Sequence, residues 1–241
     1  MEGPSIHILA EELQKLKNQK IKQIYGNAKF EKDVLINEEI QDVYTFGKRL
    51  ILQLNDYAIL IHFLMYGSYE IDHKKKEYVP RLAIITQKNA LYIYNCSVKC
   101  IKEKNLKAYI KFEYDILSST WDANKVIKKI KHYPLETIDD ILLNQEIFAG
   151  VGNIIKNETL FLSKISPLKG VSELSEKQLK KIAEQTRKFS QRFLELRKNF
   201  ELNKNLQIYR KSKCPVCQTK VIRKITGKRR RWSFFCPQCQ K

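Results

Sequence analysis

The chain has 241 residues, with 45 Lys+Arg against 26 Asp+Glu and a formal net charge of +19. Hydrophobic residues make up 43% and aromatics 10%, enough apolar material for one large domain or two ordinary ones, which argues against wholesale disorder. No uncharged apolar window of about 18 residues occurs, and Met1-Glu2-Gly3-Pro4 lacks the basic start and apolar centre of a secretory signal, so the six cysteines are expected in a reducing compartment, bound to metal rather than in disulfides.

In chain order, Ile6, Leu9, Leu13 and Leu16 recur at helical spacing, and Pro4 with Ser5 suits a helix start. From Lys20 to about Lys107, short β-rich runs alternate with turns: residues 21–25, 42–46, 49–54, 58–63, 68–71, 81–86 and 90–94. Strands of this length and spacing predict a sandwich or barrel. Residues 104–122 read as a connection. Helical patterns then cover 123–131, 137–143, 154–162 and 175–199, with Ser175 as the cap of the last.

Charge is unevenly spread. Residues 1–120 hold 18 Lys+Arg against 15 Asp+Glu, and residues 121–241 hold 27 against 11. The stretch from Leu206 to Lys241 has 11 basic residues and no acidic one. A field this one-sided favours a polyanion. A membrane surface would call for a basic helix with a broad apolar face, whereas this stretch is interrupted by cysteines and aromatics.

Cys214-Pro-Val-Cys217 and Cys236-Pro-Gln-Cys239 form two Cys-x-x-Cys knuckles separated by 18 residues. Four thiolates at this spacing predict one tetrahedral zinc ion, a closed structural site with no position left for water. The segment between them reads as two strands around Gly227. Lys228 to Arg231 would then be held towards phosphate by a metal-pinned hairpin. Cys96 and Cys100 read as ordinary buried or half-buried thiols. In Ala149-Gly150-Val151-Gly152-Asn153-Ile154, two glycines interrupt helical patterns. They would let backbone amides approach a phosphate, with Asn153 at the start of the next helix; a tight structural turn is the competing reading.

Together these pieces resemble the formamidopyrimidine-DNA glycosylase and endonuclease VIII family. The resemblance rests on Glu2-Gly3-Pro4, Phe46-Gly47-Lys48, His62-Phe-Leu-Met65-Tyr66-Gly67, the Ala149–Ile154 run, Asn157-Glu158-Thr-Leu-Phe161, Ile165-Ser-Pro167 and the four-cysteine finger. It covers nearly the whole chain and sits closer to the endonuclease VIII branch. It implies an α+β, two-domain protein. An N-terminal β-sandwich with a flanking helix (1–107) and a linker (108–122) precede a helix–two-turns–helix domain (123–205) and a zinc-finger β-hairpin (206–241), with a DNA cleft between the domains. It further implies base-excision repair of oxidised bases as a DNA glycosylase and AP lyase, through a Schiff base on the N-terminal amine and strand cleavage by elimination. Damaged DNA, double- or single-stranded, is the implied partner. A monomer in the cytoplasm, nucleoid-associated in a bacterium and with no membrane partner, is the implied setting.

Residue by residue, the resemblance makes Met1, Glu2 and Lys48 catalytic. Glu2 is the proton shuttle, and Lys48 steadies charge at a phosphate or sugar. His62 and Asn153 match phosphate contacts, Met65 the wedge that fills the space of an extruded base, and Arg231 the finger arginine. The four cysteines match zinc ligands. One departure stands out: the family begins Met-Pro-Glu-Gly-Pro, and here no proline separates Met1 from Glu2. Three readings stay open. Met1's own amine is the nucleophile, the native first residue differs, or the protein is a non-catalytic relative that binds damaged DNA. The short, glycine-free Asn199–Tyr209 connection, and the lack of an Arg-Phe pair near residues 100–120, point to oxidised pyrimidines and ring-opened or hydantoin lesions.

Overall fold

The computed structural model describes residues 1–241. Alternating apolar side chains between residues 21 and 102 build eight antiparallel strands in two sheets. One sheet runs β1 (Ile21–Tyr25), β6 (Leu82–Thr86), β7 (Ala90–Tyr94) and β5 (Ser68–Ile71); the other runs β2 (Ile40–Phe46), β3 (Arg49–Leu54), β4 (Tyr57–His62) and β8 (Ser97–Lys102). The period-two pattern is plain in β3, where Leu50, Leu52 and Leu54 enter one core with Ile59, Ile61, Leu82, Ile84, Leu91 and Ile93. Helix α1 (Gly3–Glu12) adds Ile6, Leu9 and Ala10 to this core, and a 3-10 turn over Leu13–Leu16 completes it. Of the sandwich and barrel that the strand spacing left open, the two sheets form the sandwich that the family resemblance implied. Strand β8 has no counterpart in the sequence reading: on this edge strand Ser97, Lys99 and Lys102 are exposed, Val98 and Cys100 are half-covered and Ile101 alone is buried, so it carries little apolar signal.

Met1 and Ser5–Lys111 form one compact unit; Glu2–Pro4 and Phe112–Lys241 form the other. The stretch read as a connection is largely structured. It carries 3-10 turns at Glu103–Ala108 and Phe112–Tyr114. Asp115 bridges to Ala149, and Ile116 is fully buried in the second unit's core.

That core is helical. Helix α2 (Ala123–Ile130) starts on Asp122, whose carboxylate accepts from the amides of Asn124 and Lys125. Helix α3 (Ile138–Leu142) starts on Thr137, and two turns lead from it to α4 (Asn153–Ser163). Helix α5 (Glu176–Lys198) opens with a reciprocal Ser175–Gln178 capping box, and α6 (Leu202–Asn205) is a single turn. Strands β9 (Ile222–Thr226) and β10 (Arg231–Phe235) make the finger hairpin. No helix is long and apolar enough to cross a membrane.

Candidate active site and metal centre

In the N-terminal unit the candidate groups sit where strands end. The β2–β3 hairpin turns on Gly47 at φ +57°, which places Lys48 at its tip. Arg49 pairs with His62 across β3 and β4. The His62 pKa is lowered, first by burial and then by the charges of Lys48, Arg49 and the N-terminal amine. Its surroundings therefore favour the uncharged imidazole. After His62 the chain turns out: Phe63 is buried, Gly67 N–H donates to Phe63 O at 2.8 Å, and Leu64, Met65 and Tyr66 project into solvent. Met65 is 62% exposed, as a wedge requires and a core methionine forbids. Leu64 is held at φ +51°, a strained conformation for a γ-branched residue. The Met1 amine donates to the Leu64 carbonyl at 3.0 Å, which ties the chain's first nitrogen to the Leu64–Tyr66 loop. A cavity of about 660 Å³ lies beside this loop, walled by Asn27, Val79, Arg81, Asn95 and Cys96. Cys96 is buried and Cys100 half-buried; burial pushes both thiols up, Cys96 to about 11, so both are inert packing groups.

In the second unit the glycine-bearing junction differs from the expected phosphate cradle. Its amides are already engaged by the chain's own second residue. The Glu2 carboxylate accepts from the backbone N–H of Gly152 (3.2 Å), Ile154 (2.7 Å) and Ile155 (3.2 Å), and Gly3 N–H donates to Gly150 O at 2.9 Å. The positive end of α4 complements this carboxylate. Gly152 is required for its missing side chain: a Cβ there would collide with Glu2. Asn153 stands in the first turn of α4, as expected, and its Nδ2 donates to the carbonyl of Trp232 at 3.0 Å. One of its two amide protons is therefore spent on holding the hairpin.

Of the buried polar groups around the finger, the sequence reading took in Asn157 and Glu158 only as part of the family pattern, and Asp139, Asp140 and Lys156 not at all. Lys156, fully buried, pairs with Asp139 at 2.7 Å and donates to Ser233 Oγ at 2.8 Å. Asp139 also accepts from the hydroxyls of Thr226 and Ser233, each at 2.8 Å. Burial lowers the Lys156 pKa, against the opposing pull of Asp139. Asp140 accepts from the amides of Lys228 (2.7 Å) and Arg229 (3.1 Å) at the hairpin turn, Asn157 Oδ1 accepts from Phe234 N–H at 2.6 Å, and Glu158 accepts from the amides of Gln207, Ile208 and Tyr209 at 2.8–2.9 Å. Arg231, exposed, begins β10 opposite Thr226. Beyond the family pattern, the signal in the sequence was a polar run, Lys156-Asn157-Glu158-Thr159, inside an otherwise apolar helix. A solvated helix face produces the same pattern.

The sulfurs of Cys214, Cys217, Cys236 and Cys239 lie within 4.8 Å of one another. Cys214–Cys239, Cys217–Cys236 and Cys217–Cys239 are 3.9, 3.4 and 3.5 Å apart. Tetrahedral thiolates with metal–sulfur bonds of about 2.3 Å stand about 3.8 Å apart, so the four sulfurs fit one metal ion.

Residues 2–97 match the formamidopyrimidine-DNA glycosylase N-terminal domain, and residues 113–201 match the formamidopyrimidine-DNA glycosylase H2TH domain. An endonuclease 8-like protein of Acanthamoeba polyphaga mimivirus is 30% identical, over 100% of this chain and 99% of its own length. The chain belongs to the formamidopyrimidine-DNA glycosylase and endonuclease VIII family. Endonuclease 8-like 3 of Mus musculus is 32% identical over 83% of this chain and 34% of its own length, so the chain spans about a third of that relative. Among solved structures, a viral DNA glycosylase superposes with a TM-score of 0.87 at 28% identity, covering 100% of both chains. The Lactococcus lactis formamidopyrimidine-DNA glycosylase superposes with a TM-score of 0.87 at 24% identity over 100% of both chains; it was solved non-covalently bound to DNA containing an AP site, and at that identity the likeness shows the fold.

Proposed function

We propose that the chain is a base-excision DNA glycosylase with AP lyase activity, acting on oxidised bases in DNA. The observation that carries this reading is the Glu2 carboxylate, fixed by three backbone N–H groups in the residue next to the terminal amine. An α-amino group ordinarily titrates at about 7.7–8.0, far below a lysine, so a useful fraction is neutral near pH 7. Met1's primary amine attacks the sugar C1′ as the N-glycosidic bond breaks, and the base leaves with a proton. The Glu2 carboxylate takes a proton from the attacking amine and passes it to the opening sugar oxygen, the departing base takes its proton from water, and a C1′–nitrogen Schiff base results. The iminium acidifies the C2′ proton; its removal expels the 3′ phosphate, and water then releases the sugar from the amine.

In this reading Lys48 steadies the charge that develops at the sugar and phosphate, and neutral His62 donates a hydrogen bond. Met65 fills the space of the extruded base, while Asn153 and Arg231 hold the phosphates. Oxidised pyrimidines and ring-opened bases are the proposed substrates. The four cysteines take zinc, which supplies structure to the finger; their closed shell leaves no position for water. The test is borohydride trapping on a duplex with an oxidised pyrimidine or an abasic site. A covalent adduct mapping by mass to Met1 is expected. Binding without any adduct, at any pH, would make the protein a non-catalytic relative that binds damaged DNA.

A further inference from the structure

The finger hairpin has a second face that the chemistry above leaves unused. Side chains alternate along β10, so Ser233 turns into the Asp139–Lys156 network together with Arg231's side of the strand. Trp232 and Phe234 take the opposite face, where the register sets Ile225 across from Trp232 and Arg223 across from Phe234. A groove of about 580 Å³ runs along that face, walled by Tyr209, Arg210, Lys211, Lys220, Arg223 and Trp232.

Three features mark it as more than a solvated surface. Its four cations form no ion pair, and Leu206–Lys241 contains no acidic residue to neutralise them. The Arg223 guanidinium lies 4.0 Å from the centre of the Trp232 ring, and that of Arg210 lies 5.4 Å from Tyr209. Stacking occupies the flat face of a guanidinium and leaves its in-plane N–H groups for a phosphate. Finally, Trp232 stays 41% exposed although Phe234, two residues on, is buried.

We propose that this groove binds single-stranded DNA, with phosphates on Arg210, Lys211, Lys220 and Arg223 and a base stacked on Trp232. Stacking against a wall tryptophan needs a base whose face is open, which a paired and stacked duplex does not offer. The proposal goes beyond the glycosylase reading and leaves Arg231 to it.

The full zinc-loaded chain supplies the test. Its two tryptophans are Trp121 and Trp232, so a Trp121→Phe variant reports on Trp232 alone. Titration with an oligothymidylate of about 10 nucleotides should quench that fluorescence saturably, more weakly as salt rises. Arg223→Gln and Trp232→Leu should each lower affinity at least about fivefold by anisotropy, a readout that does not need the Trp121 variant. Arg223→Gln should leave borohydride trapping on a short lesion duplex unchanged. The proposal is overturned if the oligonucleotide binds without quenching Trp232, if both variants keep wild-type affinity, or if a blunt duplex competes equally. Loss of trapping in every protein with quenching intact would overturn the glycosylase reading and leave the groove standing.

Discussion

The two units solve the problem of holding a site in opposite ways. The N-terminal unit buries hydrocarbon almost exclusively; Thr86 is its one buried polar side chain, and its candidate groups Lys48, His62 and Met65 sit on turns and strand ends around that apolar core. The second unit buries Asp139, Asp140, Lys156, Asn157, Thr226 and Ser233, and uses them to fix a hairpin too small to fix itself, while buried Glu158 holds the amides of Gln207–Tyr209. An apolar core positions loops through the strands that enter them. A hairpin with one exposed strand needs directional bonds and a metal. The first unit should therefore tolerate polar changes that cripple the second.

Metal removal should expose that contrast most strongly. Structural zinc supplies about 10 kcal/mol or more in isolated finger peptides, and here Cys214 and Cys236 are fully buried. Chelation, or Cys236→Ser, should abolish hydrogen-exchange protection in β9 and β10 while β3 and β4 stay protected. Full protection of the hairpin without metal would mean that the polar network suffices alone.

The network itself comes next. Lys156→Met strands a buried Asp139 and should cost about 3–5 kcal/mol in urea unfolding, because a buried charge loses its partner. Adding Asp139→Leu should recover most of that loss. If the double variant is no better than the single one, the ion pair is not what Lys156 contributes. Gly152→Ala comes third. The new Cβ displaces the Glu2 carboxylate from its three amides, so single-turnover base release should fall about 100-fold or more, the scale of a misplaced general acid. Unfolding free energy should change by only about 1 kcal/mol. Unchanged release would remove Glu2's placement from the mechanism.

Much of the fold was legible because its signals are local. Alternation marked β1, β3, β5 and β7 to the residue, capping marked Ser175, and cysteine spacing marked the metal cluster. Asn153's place at a helix start was legible in the glycine-bearing run itself, and Met65's exposure through the family pattern. What stayed hidden is long-range pairing. Nothing in Lys156 announces Asp139 across the fold, and nothing in Gly150-Val-Gly152 says that its amides are taken by residue 2 rather than by phosphate. Edge strand β8 was hidden for a different reason, since its covered positions are only half-covered Val98 and Cys100 before Ile101, a weak apolar signal.

The smallest expected effect tests the N-terminal unit on its own terms. His62 has a folded pKa below its ordinary 6.5, from burial and then from the nearby cations. About one pH unit or more above its ordinary 6.5, the ring is essentially neutral in both folded and unfolded chains and contributes nothing to the pH dependence. As pH falls below that, the unfolded chain takes up the proton first and the folded chain resists it, so stability declines until the folded pKa is reached. The slope stays below about 1.4 kcal/mol per pH unit, the limit for one proton. Unfolding free energies measured from pH 7.5 to 5 should therefore diverge between wild type and His62→Gln only on the acid side, with the variant losing less. Parallel curves through that window would show that the ring's surroundings do not favour its neutral form, and the role proposed for it as an uncharged hydrogen-bond donor would fall with them.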